Sequence, residues 1–122
     1  MIDYSRWLEY FTDGPRKEVF KDKVVRPQEL VVPVMTIYEV FKKIMQERGL
    51  KEALAVTGVM ERCRVFGLVS DLAKEAAHLS VVHKLPMADA TILATARAAG
   101  ATLWTLDDDF EGLPGVEYVP RK

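Results

Sequence analysis

The sequence predicts an α/β fold, a three-layer α/β/α sandwich with a mostly parallel central sheet. Three observations lead there. β-prone and helix-periodic stretches alternate along the chain, and such alternation gives parallel strands covered on both faces by right-handed crossovers. The stretch from Leu85 to Phe110 reads as a helix, a stop and a buried strand in immediate succession. The 122 residues suit one compact domain with a single core. With no internal repeat, linker or low-complexity tract, residues 1–122 are expected to form that one domain.

Met1 and Ile2 are all that can form a first strand before Asp3. Ser5 is placed to cap the next helix, whose buried side is Trp7, Leu8, Tyr10 and Phe11, and Gly14-Pro15 ends it. Arg16 to Arg26 mixes both signs of charge, which reads as a solvated helix and loop or as a phosphate-contacting patch. Leu30 to Val34 is the second strand, with Pro33 near its end. Thr36 and Glu39 stand three apart before the periodic run Ile37, Val40, Phe41, Ile44 and Met45, the spacing of a capping box. Glu39 at that place either caps the helix or points from its first turn into a site beyond the strand, and the two roles are compatible.

Gly49 closes this helix and Leu50 to Cys63 forms another, with Leu54, Val56, Val59, Met60 and Cys63 as its apolar side. Met45 and Met60 are expected to fill the core, and Cys63 to be a small core residue. Arg64 to Val69 is the third strand. Ser70 is placed to cap a helix from Asp71 to about His83, with Leu72, Ala73, Ala76, Ala77 and Leu79 inside. His78 and His83 read as surface or helix-end residues. Pro86 starts the next helix, whose stripe is Ala90, Leu93, Ala94 and Arg97, and Gly100 ends it. Ala101 to Leu106 is a buried strand that exits into Asp107, Asp108 and Asp109, and Glu117 to Val119 is a last short strand.

Composition removes several function classes. A net charge of −1 excludes bulk attraction to nucleic acid, so any RNA contact needs a local patch. One cysteine and two histidines leave no zinc site of the usual kind and no internal disulfide. No apolar run approaches the roughly 18 residues of a membrane span, and no basic-then-apolar leader opens the sequence, so the expected location is the cytoplasm. The first helices, with Trp7, Tyr10 and Phe11, and the Leu50 to Cys63 helix carry more large apolar surface than such a domain readily buries, which marks an interface.

The chemistry-bearing residues are acids. In open α/β sheets, sites form outside the carboxyl ends of strands. Asp107 stands at such an end, and Asp89 stands in the first turn of a helix, where the macrodipole favours a carboxylate. By themselves these are equally a helix-start acid and a solvated turn. Oxygen-only ligands favour Mg²⁺ or Mn²⁺, and a hard cation relieves the repulsion of several carboxylates sharing a pocket.

An Asp-Ala pair opening an Ala-rich helix, then Gly-Ala, then Thr-Leu-Asp-Asp-Asp-Phe, resembles the C-terminal half of PIN-domain ribonucleases, especially the VapC toxins of toxin–antitoxin pairs. Asp3-Tyr4-Ser5-Arg6-Trp7-Leu8 resembles the family's opening Asp-x-Ser-x-Trp-Leu, and Glu39 matches the Glu of its second motif. The chain departs in having so few residues before Asp3, and in Tyr4 where a small residue is usual. The resemblance implies that Asp3, Glu39, Asp89 and Asp107 are the catalytic and metal-binding carboxylates. Ser5 or Thr105 would steady a ligand or water, Asp109 would be auxiliary, and Asp108 would face solvent. It further implies Mg²⁺- or Mn²⁺-dependent hydrolysis of RNA to 5′-phosphate and 3′-hydroxyl ends, a small VapB-like antitoxin and a homodimer. Two other readings remain: a PIN-fold RNA-processing nuclease without antitoxin, and a catalytically silent metal- or RNA-binding domain. A receiver-like domain would need a phosphoacceptor Asp after the third strand and a late Lys, where this chain has Ser70-Asp71 and no Lys after a later strand until its last residue.

Overall fold

The computed structural model describes Met1, Trp7 and residues 30–118. Asp3, Ser5, the expected first helix apart from Trp7, and the charged stretch 16–26 lie outside the described residues. Within 30–118 the order is β1 (Val31–Pro33), α1 (Val34–Arg48), α2 (Leu50–Met60), β2 (Arg64–Phe66), α3 (Ser70–His83), α4 (Met87–Ala98), β3 (Leu103–Thr105), a 3₁₀ turn (Asp108–Phe110) and β4 (Val116–Tyr118).

All described strand pairs are parallel, as the alternation of elements demands. Val31, Val32 and Pro33 of β1 face Arg64, Val65 and Phe66 of β2, and Leu103, Trp104 and Thr105 of β3 face Val116, Glu117 and Tyr118 of β4. Met1 lies along the other side of β3. Its amino group donates to the Thr102 carbonyl at 2.9 Å, and its carbonyl accepts from the Trp104 N–H at 2.8 Å, the slanted pattern of a parallel pair centred on Leu103.

The period of two along these strands sorts side chains into two cores. Val31 and Leu103 join Met1, Ala76, Leu79, Leu85, Ala90, Leu93, Ala94 and Phe110 on the side of α3 and α4. Their neighbours Leu30, Val32 and Trp104 join Trp7, Val40, Ile44, Ala53, Val56 and Met60 on the side of α1 and α2. β1 and β3, buried between the two helical layers, make the centre of the α/β/α sandwich that the sequence predicts.

Helix α4 is the central piece of the first core. Residues 90–96 are buried without interruption, because α4 packs against α3, α1 and β1 at once. Alanines allow that close approach. Thr91 and Thr95, also buried, satisfy their hydroxyls on the helix's own carbonyls of Ala88 (2.7 Å) and Thr91 (2.8 Å). Pro86 is the cap rather than the first helical residue, its carbonyl accepting from Ala90 N–H at 2.9 Å. At the other end Gly100, at φ +66°, closes a Schellman motif: Ala101 N–H reaches the Ala96 carbonyl at 2.8 Å and Gly100 N–H the Arg97 carbonyl at 3.2 Å. Arg97 is exposed and donates to the Pro114 carbonyl at 3.2 Å, so it leaves the buried stripe.

Several sequence expectations need correction. The strands are three residues each, shorter than Leu30–Val34, Arg64–Val69 and Ala101–Leu106. β1 passes straight into α1, with Pro33 as the cap at φ −69° and ψ 145°, so Thr36 and Glu39 form no capping box. Thr36 is instead fully buried on the third helical residue, and its hydroxyl has no hydrogen-bond partner among the described residues. Glu39 lies in the second turn. Val69 takes the cap of α3, and Ser70 is already helical. Met60 is a core residue, but Met45 and Leu54 stand about half exposed on α1 and α2, because α1 turns Val40 and Ile44 inward and α2 turns Ala53 and Val56. Helix α2 ends at Met60, leaving Cys63 half-buried in the turn beyond. Ala73 and Ala77 of α3 are exposed. Trp7 is completely buried, so it belongs to the core and not to an interface.

Candidate metal centre

Three elements deliver carboxylates to one place at the carboxyl end of β3. Asp89 sits in the first turn of α4, where unpaired N–H groups and the macrodipole favour negative charge. Asp107 follows β3 by two residues. Its backbone N–H donates to the Thr105 hydroxyl at 2.9 Å, and its own Oδ1 accepts from Asp109 N–H at 2.9 Å. The second bond makes Asp107 the side-chain cap of the 3₁₀ turn, and Phe110, fully buried at the end of that turn, pins it to the core. This turn chemistry brings Asp109 back beside Asp107.

One carboxylate oxygen from each of Asp89, Asp107 and Asp109 can lie within 4.8 Å of the others. Asp89 and Asp107 are half-buried and Asp109 is exposed, leaving the group open on one side. Three negative groups at that separation repel one another, by an amount on the order of 1 kcal/mol per pair even in bulk water and more where water is partly excluded. The donor set is all carboxylate oxygen, which fits a hard divalent cation of the Mg²⁺ or Mn²⁺ kind.

Of the residues the sequence singles out, Asp89 and Asp107 converge, and Asp109 lies with them in the same group. The signal for Asp109 is the Asp-x-Asp spacing itself, since an Asx-capped 3₁₀ turn folds the second acid back toward the first. Thr105 is buried and its hydroxyl accepts from the Asp107 backbone N–H, and Asp108 is exposed. Glu39 is not among the three; it is half-buried on α1, with one carboxylate oxygen shut off from solvent. Asp3 and Ser5 are outside the described residues.

No helix among the described residues is long and apolar enough to cross a membrane. No curated protein matches the chain in sequence. In structure it is similar to a toxin–antitoxin complex from Klebsiella pneumoniae, with 22% identity, TM-score 0.82, and coverage of 99% of this chain and 97% of that one. It is also similar to DNA-bound VapBC from Salmonella typhimurium, at 19% identity, TM-score 0.75 and coverage of 98% and 96%. A third similar structure is VapC20 of Mycobacterium tuberculosis, a sarcin-ricin loop cleaving toxin, at 19% identity, TM-score 0.74 and coverage of 98% and 96%. At these identities the likeness is one of fold. The sequence profile of the PIN domain matches residues 1–116, and with that span, the parallel sandwich and the acids at the end of β3, the chain belongs to the PIN-domain family.

Proposed function

We propose that this protein is a metal-dependent endoribonuclease and the toxin of a VapBC-type pair. The observation that carries the reading is the convergence of Asp89, Asp107 and Asp109 on a chain of the PIN-domain family. These three, with Asp3 and Glu39, would hold Mg²⁺ or Mn²⁺. Asp3 lies outside the described residues and enters on its match to the family's opening motif. When bound, the cation supplies positive charge for the phosphodiester and lowers the pKa of water to a range useful at neutral pH.

The chain's own residues fix the geometry. Thr105 holds the Asp107 backbone, Asp107 holds the turn that carries Asp109, and the rigid first turn of α4 holds Asp89. Glu39 is assigned to hold the cation or to orient the attacking water, and cleavage would leave 5′-phosphate and 3′-hydroxyl ends. Among the similar structures, one is a toxin–antitoxin complex, one a VapBC complex, and one a toxin that cleaves the sarcin-ricin loop. An antitoxin fitting this mouth would present Arg, which pairs carboxylates in bidentate fashion and displaces the cation. The half-exposed Met45, Leu50 and Leu54 on the α1–α2 pair offer apolar surface for the antitoxin or for a second copy in a homodimer.

The test is cleavage of structured RNA with Mg²⁺, with Mn²⁺ and with EDTA. The reading expects cleavage with either metal, none in EDTA, and loss of most activity in Glu39→Gln with an unchanged melting temperature. Full activity in EDTA would reject the metal-dependent reading, and full activity in Glu39→Gln would reject the role given to that residue.

A further inference from the structure

Helix α1 carries a cleft outside the group of Asp89, Asp107 and Asp109. Tyr38, Glu39, Lys42, Lys43 and Gln46 line a hollow of ≈ 360 Å³. Tyr38 is 59% exposed although it is the largest side chain there. Lys42 Nζ stands 5.8 Å from the centroid of its ring, within reach of a cation–π contact. Lys43 is engaged by Glu47 at 2.9 Å, which leaves Lys42 as the cation beside the ring. An exposed aromatic face next to an ammonium is complementary to a base and its phosphate. A chain of net charge −1 needs such a local patch to hold RNA at all. Glu39, assigned above to the reaction, borders this cleft directly.

We propose that single-stranded RNA reaches the acid group along α1, with one base stacked on Tyr38 and an adjoining phosphate on Lys42. The inference rests on the nuclease reading and adds the path of the strand. Lys42 steadies the ring from one side and neutralises the phosphate, and stacking makes the contact tolerant of base identity.

The test is the affinity of a fluorescein-labelled oligoadenylate, read by anisotropy in EDTA over a salt series, so that binding is measured without cleavage. Tyr38→Ala is expected to weaken binding about 5- to 100-fold, the worth of one stacked base. Tyr38→Phe is expected to stay within about twofold of wild type, because the ring and not the hydroxyl carries the contact. Lys42→Ala should lower the slope of log affinity against log salt by about 0.7, the loss of one phosphate contact on a single strand. Tyr38 and Lys42 are exposed, so melting temperatures should not move. Wild-type affinity in Tyr38→Ala, an equal loss in Tyr38→Phe, or no RNA binding by the wild type would each overturn the proposal. Wild-type values in every variant would hand the surface to a protein partner. Cleavage with Mn²⁺, measured in parallel, separates the two ideas: Tyr38-dependent binding without cleavage sinks the nuclease reading alone, and cleavage with an unchanged KM in Tyr38→Ala sinks this one alone.

Discussion

Asp107 has two roles that one substitution can separate. Its Oδ1 caps the 3₁₀ turn and its charge belongs to the acid group. Asparagine keeps an acceptor oxygen and removes the charge, so Asp107→Asn should fold with an unchanged or slightly raised melting temperature in EDTA, because repulsion is relieved. The same variant should lose cleavage. Thr105 acts one step back: Thr105→Val removes the acceptor for Asp107 N–H, at a cost of about 1–3 kcal/mol for the group left unpaired. It should also lower activity about 10- to 100-fold, as expected for a group that orients a ligand. Thr105→Ser should restore both, and calorimetric melting with cleavage rates on the three proteins checks it. Burial pushes the Cys63 thiol up, against a smaller opposing pull from Arg62. At pH 8 Cys63 should therefore alkylate more slowly than a free cysteine. The sign for stability follows: a thiol held protonated by the fold stabilises the protein below its unfolded pKa only relative to higher pH, where the unfolded chain ionises first and this contribution is lost as pH rises through the folded value.

Helix α4 is the element on which the site depends, since it fills one core and presents Asp89 from its first turn. Leu93, fully buried, faces that core, and Leu93→Ala should cost about 2–5 kcal/mol in a denaturant titration. Most of α4 is legible in the amino-acid sequence. Its alanines, Asp89 and Gly100 obey local rules that read the same in sequence and in space. The start of α1 is not legible, because Thr36 and Glu39 have capping-box spacing while Pro33 moves the helix start to Val34. A local pattern loses there to the direct passage from strand to helix. Met45 and Leu54 escape sequence reasoning for a related reason. Their periodicity shows an apolar face, but which of two adjoining rows turns inward is decided by the partner helix. Of the candidate site, Asp89 and Asp107 can be read from position, and the Asp-x-Asp spacing points to Asp109, whose place beside them is fixed by the Asp107-capped turn.

For the whole molecule, the proposed metal would also be a stability statement. A cation that binds the folded acids and not the unfolded chain stabilises by RT ln(1 + [L]/Kd), about 2.7 kcal/mol at a hundred times Kd. Millimolar Mn²⁺ should therefore raise the melting temperature of the wild type and leave that of Asp107→Asn nearly unchanged. The proposed homodimer should appear in light scattering as a mass independent of concentration over a wide range; a monomer throughout would remove the second copy from the account and leave Met45, Leu50 and Leu54 to the antitoxin. The central claim, that the acids gathered at the end of β3 hold the cation that RNA hydrolysis requires, is tested most directly by titrating Mn²⁺ calorimetrically into wild type and Asp89→Asn while following RNA cleavage over the same concentrations. The account predicts that wild-type cleavage rises with metal occupancy and that Asp89→Asn loses both together at an unchanged melting temperature. Wild-type Mn²⁺ affinity and cleavage in Asp89→Asn, or cleavage at zero occupancy, would contradict it.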